Sequence, residues 1–358
     1  MTTVDLLRVP TAGPEDTGAT RALAAAGHTT ADLLAVVGKT EGNGCVNDFS
    51  RTLAAARWEP LLPPETVTVF SGGTEGVLSP HVNLLVADPG PHPGHDRGLV
   101  GAAGRTRALA PAEVGREPQL TAVREVVAGL TARLGLTADE VDLVLVKCPL
   151  LTSERVAACR AAGAEPVTED TYESMARSRA AAALGIAVAL GECTPDEARH
   201  ALAEGERGGR GGPAEVWSSR ASASAGAELT DCHILVLGTS RAASGPLRAV
   251  HGTMRDAIDL AALTGLFEQV RAEGGEVVQV FAKAEADPAG TVRGARHTML
   301  TDSDLHSTRH ARAAVGGLLS ALAGHTALYV SGGAEHQGPP GGGSVTVVYR
   351  VPPAAGLA

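Results

Sequence analysis

Short apolar runs rich in Val and Leu alternate with longer polar, glycine-rich stretches along this chain. Residues 4–9, the run DLLAVVGK that ends at Lys39, VTVF (67–70), VNLLVAD (82–88) and VDLVLVK ending at Lys147 are each too short for a helix and bounded by turn residues. HILVLG (233–238), EVVQVFAK ending at Lys283, ALYV (327–330) and SVTVVYRV (344–351) are of the same kind. All predict strands. Helical spacing predicts helices over about 51–58, 120–134, 153–162, 174–190, 256–273 and 309–323. Another helix should open at Thr194-Pro195, with Thr as N-cap and Pro in the first turn. Gly274-Gly275 should stop the helix before them. Segments 38–51, 88–98, 205–213 and 334–343 predict loops, and DPAGTVRG (287–294) a turn with a short hairpin.

Three stretches repeat within this pattern. Ser71-Gly-Gly-Thr-Glu75, Ser224-Ala-Gly-Ala-Glu228 and Ser331-Gly-Gly-Ala-Glu335 all read Ser-small-Gly-small-Glu. Lys39, Lys147 and Lys283 each close a strand-like run, and Arg51, Arg179 and Arg312 each open a small-residue helix. The order strand–Lys, Arg–helix, Ser-Gly therefore occurs three times, although no strand is evident before Ser224. Repetition of this kind predicts an α/β fold of three βαβ-like units: 1–95, 99–242 and 245–358. Arg177 competes with Arg179, Arg309 with Arg312, and Ser219 and Ser222 with Ser224. The choices rest on the Ala-Ala or Gly-Glu context that follows.

Composition narrows the class. A net charge of −10 argues against nucleic acid and acidic membranes, and no apolar run is long enough to span a bilayer. With 44% apolar but only 3% aromatic residues, the core must be closely packed Ala, Val and Leu. Five scattered cysteines show no CxxC pairing, and the start lacks the pattern of a signal peptide. These features predict a cytoplasmic protein with reduced thiols.

A serine hydroxyl attacks only when a base takes its proton, and a lysine can be that base if burial or a nearby cation keeps it neutral. Glycine beside the serine lets a ligand approach backbone N–H groups, and arginine offers a fork of donors to carbonyl oxygens. Taken singly, a strand-end lysine is ordinarily a solvated charge and Ser-Gly an ordinary turn. In triplicate and convergent, they would make a pocket for a small flat ring with three similar edges. His81, His297, His306, His310 and His336 do not repeat, and neither a zinc spacing nor a dinucleotide fingerprint is present.

GKTEGNGCVNDFSR, FSGGTEGVLSPH, VKCPLL, EDTYESM, ASASAGAEL, VFAKAEA, RHTMLTDSD, STRHARA and YVSGGAEHQGPPGGG together resemble the ring-opening amidohydrolases, over essentially the whole chain. That resemblance implies a barrel-like single domain of three units around a pseudo-threefold axis, with the active site on the axis. It implies hydrolysis of a cyclic imide without a catalytic cofactor. Cyanuric acid would open to carboxybiuret, which loses CO2 to give biuret, as in s-triazine degradation; the alternative is barbiturase chemistry, from barbituric acid to ureidomalonate. Segments STRHARA and TDSD look more like the cyanuric acid branch.

Carried onto this chain, the resemblance implies Lys147 as base and Ser224 as nucleophile. Lys39, Ser71, Lys283 and Ser331 would bind the other ring edges. Arg51, Arg179 and Arg312 would hold ring oxygens, with backbone groups at Gly72, Ala225 and Gly332. It further implies a homotetramer and a structural Mg2+ or Ca2+ held by Glu285 and the loop residues Ala334, Gln337, Gly338, Pro339 and Gly342. Carbonyls with one carboxylate suit such a hard cation.

Overall fold

The computed structural model describes residues 2–90, 92–208, 216–301 and 305–354. Three of the four residues of TDSD and the end of the 205–213 loop lie outside the described residues. The first third of the chain forms β1 (Thr3–Pro10), α1 (Ala19–Ala25), β2 (Leu33–Thr40), α2 (Phe49–Trp58), β3 (Val67–Gly72) and β4 (His81–Asp88). Next come β5 (Gly98–Arg105), α3 (Glu117–Arg133), β6 (Val141–Pro149), α4 (Ser153–Ala161), α5 (Thr171–Ala189), α6 (Pro195–Gly208), β7 (Ala221–Gly226) and β8 (His233–Ser240). The last third forms β9 (Leu247–Met254), α7 (Leu260–Ala272), β10 (Glu276–Ala284), β11 (Thr291–Val292), β12 (Ala295–Arg296), α8 (Ser307–Ala323), β13 (Tyr329–Gly332) and β14 (Gly343–Arg350).

The expected barrel is not what forms. Two open sheets carry the fold: eight strands in the order β3-β2-β4-β1-β5-β8-β6-β7, and four in the order β13-β10-β14-β9. A small hairpin of β11 and β12 stands apart, where the sequence predicts one. The eight-stranded sheet is continuous through a single bridge, Thr3 to Val100 between β1 and β5.

One apolar cluster joins the two sheets: Val37, Val69, Leu143, Leu145 and Leu237 of the larger pack with Phe281, Tyr329 and Val348 of the smaller. Separate clusters lie under the helices of each third of the chain. The strands are thus covered on both faces. That is why β6 reads as an apolar run interrupted only by Asp142 and Lys147 and is buried at all nine positions.

Strand β7, which the hydrophobic pattern does not reveal, has the sequence ASASAG. It carries none of the β-branched or aromatic residues that mark strands. It forms because its backbone pairs with β6 while Ala221, Ala223 and Ala225 fit tightly into the core. β5 and β9 also escape the pattern, being broken by glycine or polar residues.

Candidate active site

Three parallel strand pairs set lysine opposite serine in the same register: Lys39 with Ser71, Lys147 with Ser224, and Lys283 with Ser331. Strand alternation then aims both side chains at one face. Ser71, Ser224 and Ser331 meet at one small pocket, lined also by Gly72, Ala225, Gly332, Lys147, Arg51, Arg179 and Arg312. Ser71 and Ser331 hydroxyls lie 3.4 Å apart although 260 residues separate them. Lys39 and Lys283 stand directly behind their serines. The Lys39 amine reaches Ser71 Oγ at 3.3 Å and the Gly72 carbonyl at 3.1 Å. Lys283 reaches Ser331 Oγ at 3.1 Å and the Ala223 carbonyl at 2.7 Å.

The middle pair differs. Lys147 Nζ donates to the carbonyls of Phe70 (2.6 Å) and Ala225 (3.3 Å) and stands 3.3 Å from Glu228 Oε1. Ser224 Oγ is buried and, unlike Ser71 and Ser331, is held by no lysine, with the Tyr329 phenol as its polar neighbour.

Burial is the main pressure on the amines. It pushes Lys39 and Lys283 well below the ordinary lysine value, helped by Arg312 at the first and Arg179 at the second. Lys147 is pushed down to about 8, because Glu228 pulls against burial while Arg51 adds to it.

Each arginine leaves its helix to meet a motif glutamate from another part of the chain. Arg312 Nε and Nη2 each lie 2.6 Å from the Glu75 carboxylate. Arg179 grips Glu335 through two contacts of 2.7 Å. Arg51 approaches Glu228 less closely, at 3.5 Å, and donates instead to the Cys45 carbonyl at 2.6 Å. Of the competing arginines, Arg177 folds back onto Glu173, one helical turn away. Arg309 shares Glu75 with Arg312 at 3.0 Å. Ser219 bonds Glu192 instead of facing the pocket.

The sequence names the motif glutamates but not their role. Their conserved place within each of this chain's own repeats, four residues after the serine, is the signal for it. Tyr329 also goes unpredicted. It is buried between the sheets near Ser224 and Ser71, and burial raises its phenol. The imperfect repeat at Ala225 has a steric basis. A Cβ on Gly72 would stand 1.6 Å from Asp48 Oδ2, and one on Gly332 2.5 Å from Arg312 Nη1. Ala225 is under no such constraint.

The loop expected to hold a cation follows β13. Glu285, just past the end of β10, lies beside it, its carboxyl pushed up to about 7 by burial and by Glu335. The Gly341 N–H donates to it at 3.3 Å. Gln337 sends its side chain away, accepting from the Ala223 N–H at 2.6 Å, and its carbonyl accepts from the Ser344 N–H at 2.8 Å, so a metal could take only that carbonyl's second lone pair. A carboxylate whose charge is disfavoured there, near backbone carbonyls of the 334–342 loop, is the oxygen-donor chemistry a hard cation takes. A cavity of about 440 Å³ opens alongside, bounded by Glu285, Tyr172, His297 and His306, and it shares Arg179 with the serine pocket.

Residues 5–350 match the model of the family described as amidohydrolase ring-opening proteins. The chain is 61% identical to a cyanuric acid amidohydrolase of Rhodococcus sp., covering 99% of this chain and 98% of that one. It is also 61% identical to one of Pseudonocardia dioxanivorans, covering 98% and 99%. The crystal structure of cyanuric acid hydrolase from A. caulinodans superposes with a TM-score of 0.89 at 43% identity, over 98% of this chain and 99% of that one. The chain belongs to the ring-opening amidohydrolases, a family of hydrolytic enzymes.

Proposed function

We propose that the protein opens the ring of cyanuric acid by hydrolysis, with Ser224 as nucleophile and Lys147 as its base. The observation that carries this is the meeting of three strand-borne serines, each opposite a buried lysine, at one pocket. The naming of its relatives as cyanuric acid amidohydrolases supports cyanuric acid as the substrate.

In this account neutral Lys147 takes the Ser224 proton as Oγ adds to a ring carbonyl carbon. The tetrahedral intermediate collapses with cleavage of the C–N bond, and the departing nitrogen receives the proton held on Lys147. Water then releases the acyl group from Ser224, with Lys147 again as base. The product, carboxybiuret, loses CO2 to leave biuret. Two features favour Ser224. Its hydroxyl is outside the lysine and serine hydrogen bonds that hold Ser71 and Ser331, with the Tyr329 phenol beside it. A base titrating near 8 also suits a reaction run near neutrality. Ser71, Ser331 and their lysines hold the other two ring edges, and the three arginines take ring oxygens.

The arrangement amounts to three repeat units, 1–95, 99–242 and 245–358, about a pseudo-threefold axis. It is supported by strand orders that recur as β3-β2-β4-β1, β7-β6-β8-β5 and β13-β10-β14-β9. Glu285 with the Ala334, Gln337, Gly338, Pro339 and Gly342 carbonyls would hold a structural Mg2+ or Ca2+, and no catalytic step passes through it. A cytoplasmic setting accords with five free cysteines. No helix among the described residues is long and apolar enough to cross a membrane.

Ultraviolet absorbance decides the substrate. Purified enzyme should deplete cyanuric acid and leave barbituric acid unchanged. Loss of barbituric acid alone would contradict the proposal.

A further inference from the structure

The three motif glutamates occupy equivalent places but do unequal work. Glu75 and Glu335 each present both oxygens to an arginine at 2.6–2.7 Å. Glu228 makes no such fork. One oxygen lies 3.3 Å from Lys147 Nζ and the other 3.5 Å from Arg51 Nε, and neither has a hydrogen bond of good geometry.

The turns behind them differ in the same way. Gly73 and Gly333 adopt left-handed φ values of 99° and 76°, with Arg312 and Arg179 packed against them. Gly226, their counterpart, does not adopt that conformation, and the nearest atoms to it are those of Glu228 itself. The second turn therefore swings its glutamate toward a lysine, where the other two turns swing theirs to arginines.

We propose that Glu228 is the positioning residue that makes Lys147 the proton-accepting lysine, by holding its amine in an ion pair that Lys39 and Lys283 do not have. The inference rests on the Ser224–Lys147 dyad proposed above. The charged groups facing Lys147 are Glu228, Arg51 and, at the start of α2, Asp48. Those facing Glu228 are Lys147, Arg51, Arg155 of α4, Glu59 after α2 and His233 of β8. Arg51 disfavours the ammonium and Asp48 favours it at longer range, so the direct ion pair is the main force opposing burial. Glu228 itself is pushed up by burial but held below the ordinary carboxyl value by Lys147 and then Arg51. It is therefore an anion throughout the range in which Lys147 titrates. Without it burial would push the Lys147 amine down in the direction of the two other lysines, making it a weaker base toward serine.

The sign of the effect is fixed. Activity needs neutral Lys147, so kcat/KM rises with pH through its ionisation. An adjacent anion raises that midpoint, and removing the anion lowers it.

The test is the pH profile of kcat/KM on cyanuric acid for wild type, Glu228→Gln, Glu228→Asp, Glu75→Gln and Glu335→Gln. Glu228→Gln should move the rising limb toward acid by about 1 pH unit or more. It should also lower kcat on the plateau, and Glu228→Asp should restore the limb toward wild type. Glu75→Gln and Glu335→Gln should leave the limb in place and raise KM by about tenfold through slackened arginines. A limb unmoved in Glu228→Gln, or moved equally in all three glutamine variants, overturns the proposal. Titration of Lys147 Nζ by 15N NMR, assigned by signal loss in Lys147→Ala, gives a readout that needs no turnover. A Lys147 signal that titrates together with those of Lys39 and Lys283, the other two lysines of this chain, overturns the inference even if Glu228→Gln does not fold. If wild type fails to open cyanuric acid, the functional proposal falls, and the NMR comparison still decides the role of Glu228.

Discussion

Gly333 shows how finely the site is set residue by residue. Its φ of 76° disfavours any side chain, and an added Cβ would stand 2.6 Å from Arg179 Nη2. Gly333→Ala should therefore cost about 1–3 kcal/mol in stability from backbone strain alone. It should also displace Arg179 and raise KM for cyanuric acid by about tenfold or more, measured by steady-state kinetics beside thermal melting. An unchanged KM would show that Arg179 does not touch the ring. The residue chemistry was largely legible in the sequence, because lysine, arginine and serine recur in a fixed order. Two things were not. The glutamate–arginine partnerships join residues far apart in the chain: Glu335 is 156 residues from Arg179, and Glu75 is 237 from Arg312. Spacing carries no trace of such pairs. The different posture of Glu228 depends on a turn conformation that its sequence, so like the other two, does not announce.

At the scale of elements, legibility follows side-chain character. β6 and β10 carry dense Val and Leu and were plain from their pattern. β7 was not, because the alanines that let α5 pack closely on it lack the branched and aromatic side chains that mark strands. The barrel expectation failed for a related reason. Repeat order says nothing about whether the outer strands close on each other, and here β3 and β7 end one sheet while β13 and β9 end the other. The loop between β13 and β14 carries its own prediction. If it binds a cation at Glu285, chelation should lower the melting temperature of wild type, and Glu285→Ala should melt low with or without chelator. Elemental analysis should find Mg2+ or Ca2+ in wild type only. Equal melting of the two proteins with no bound metal would contradict that assignment.

Over the whole molecule, the ion pairs link the parts of the chain in a cycle. Arg51 of the first third reaches Glu228 of the second, Arg179 of the second reaches Glu335 of the third, and Arg312 of the third returns to Glu75 of the first. Two of the lysines also cross between thirds: Lys147 donates to Phe70 O and Lys283 to Ala223 O, each on a strand of the preceding third, whereas Lys39 donates within its own third. No third could present its serine correctly alone. Association is a further expectation. Phe49 and Val77 are 79% and 54% exposed in the single chain, apolar surface that a homotetramer can cover. Light scattering should return four times the 36.2 kDa chain mass, and a monomer mass would exclude the tetramer.

Most direct of all is the kcat of three single variants, Ser71→Ala, Ser224→Ala and Ser331→Ala, on cyanuric acid. Ser224→Ala should lose about 10⁴-fold in kcat, with much smaller losses at Ser71 and Ser331. A larger loss at either of those two would contradict the assignment of Ser224 as nucleophile.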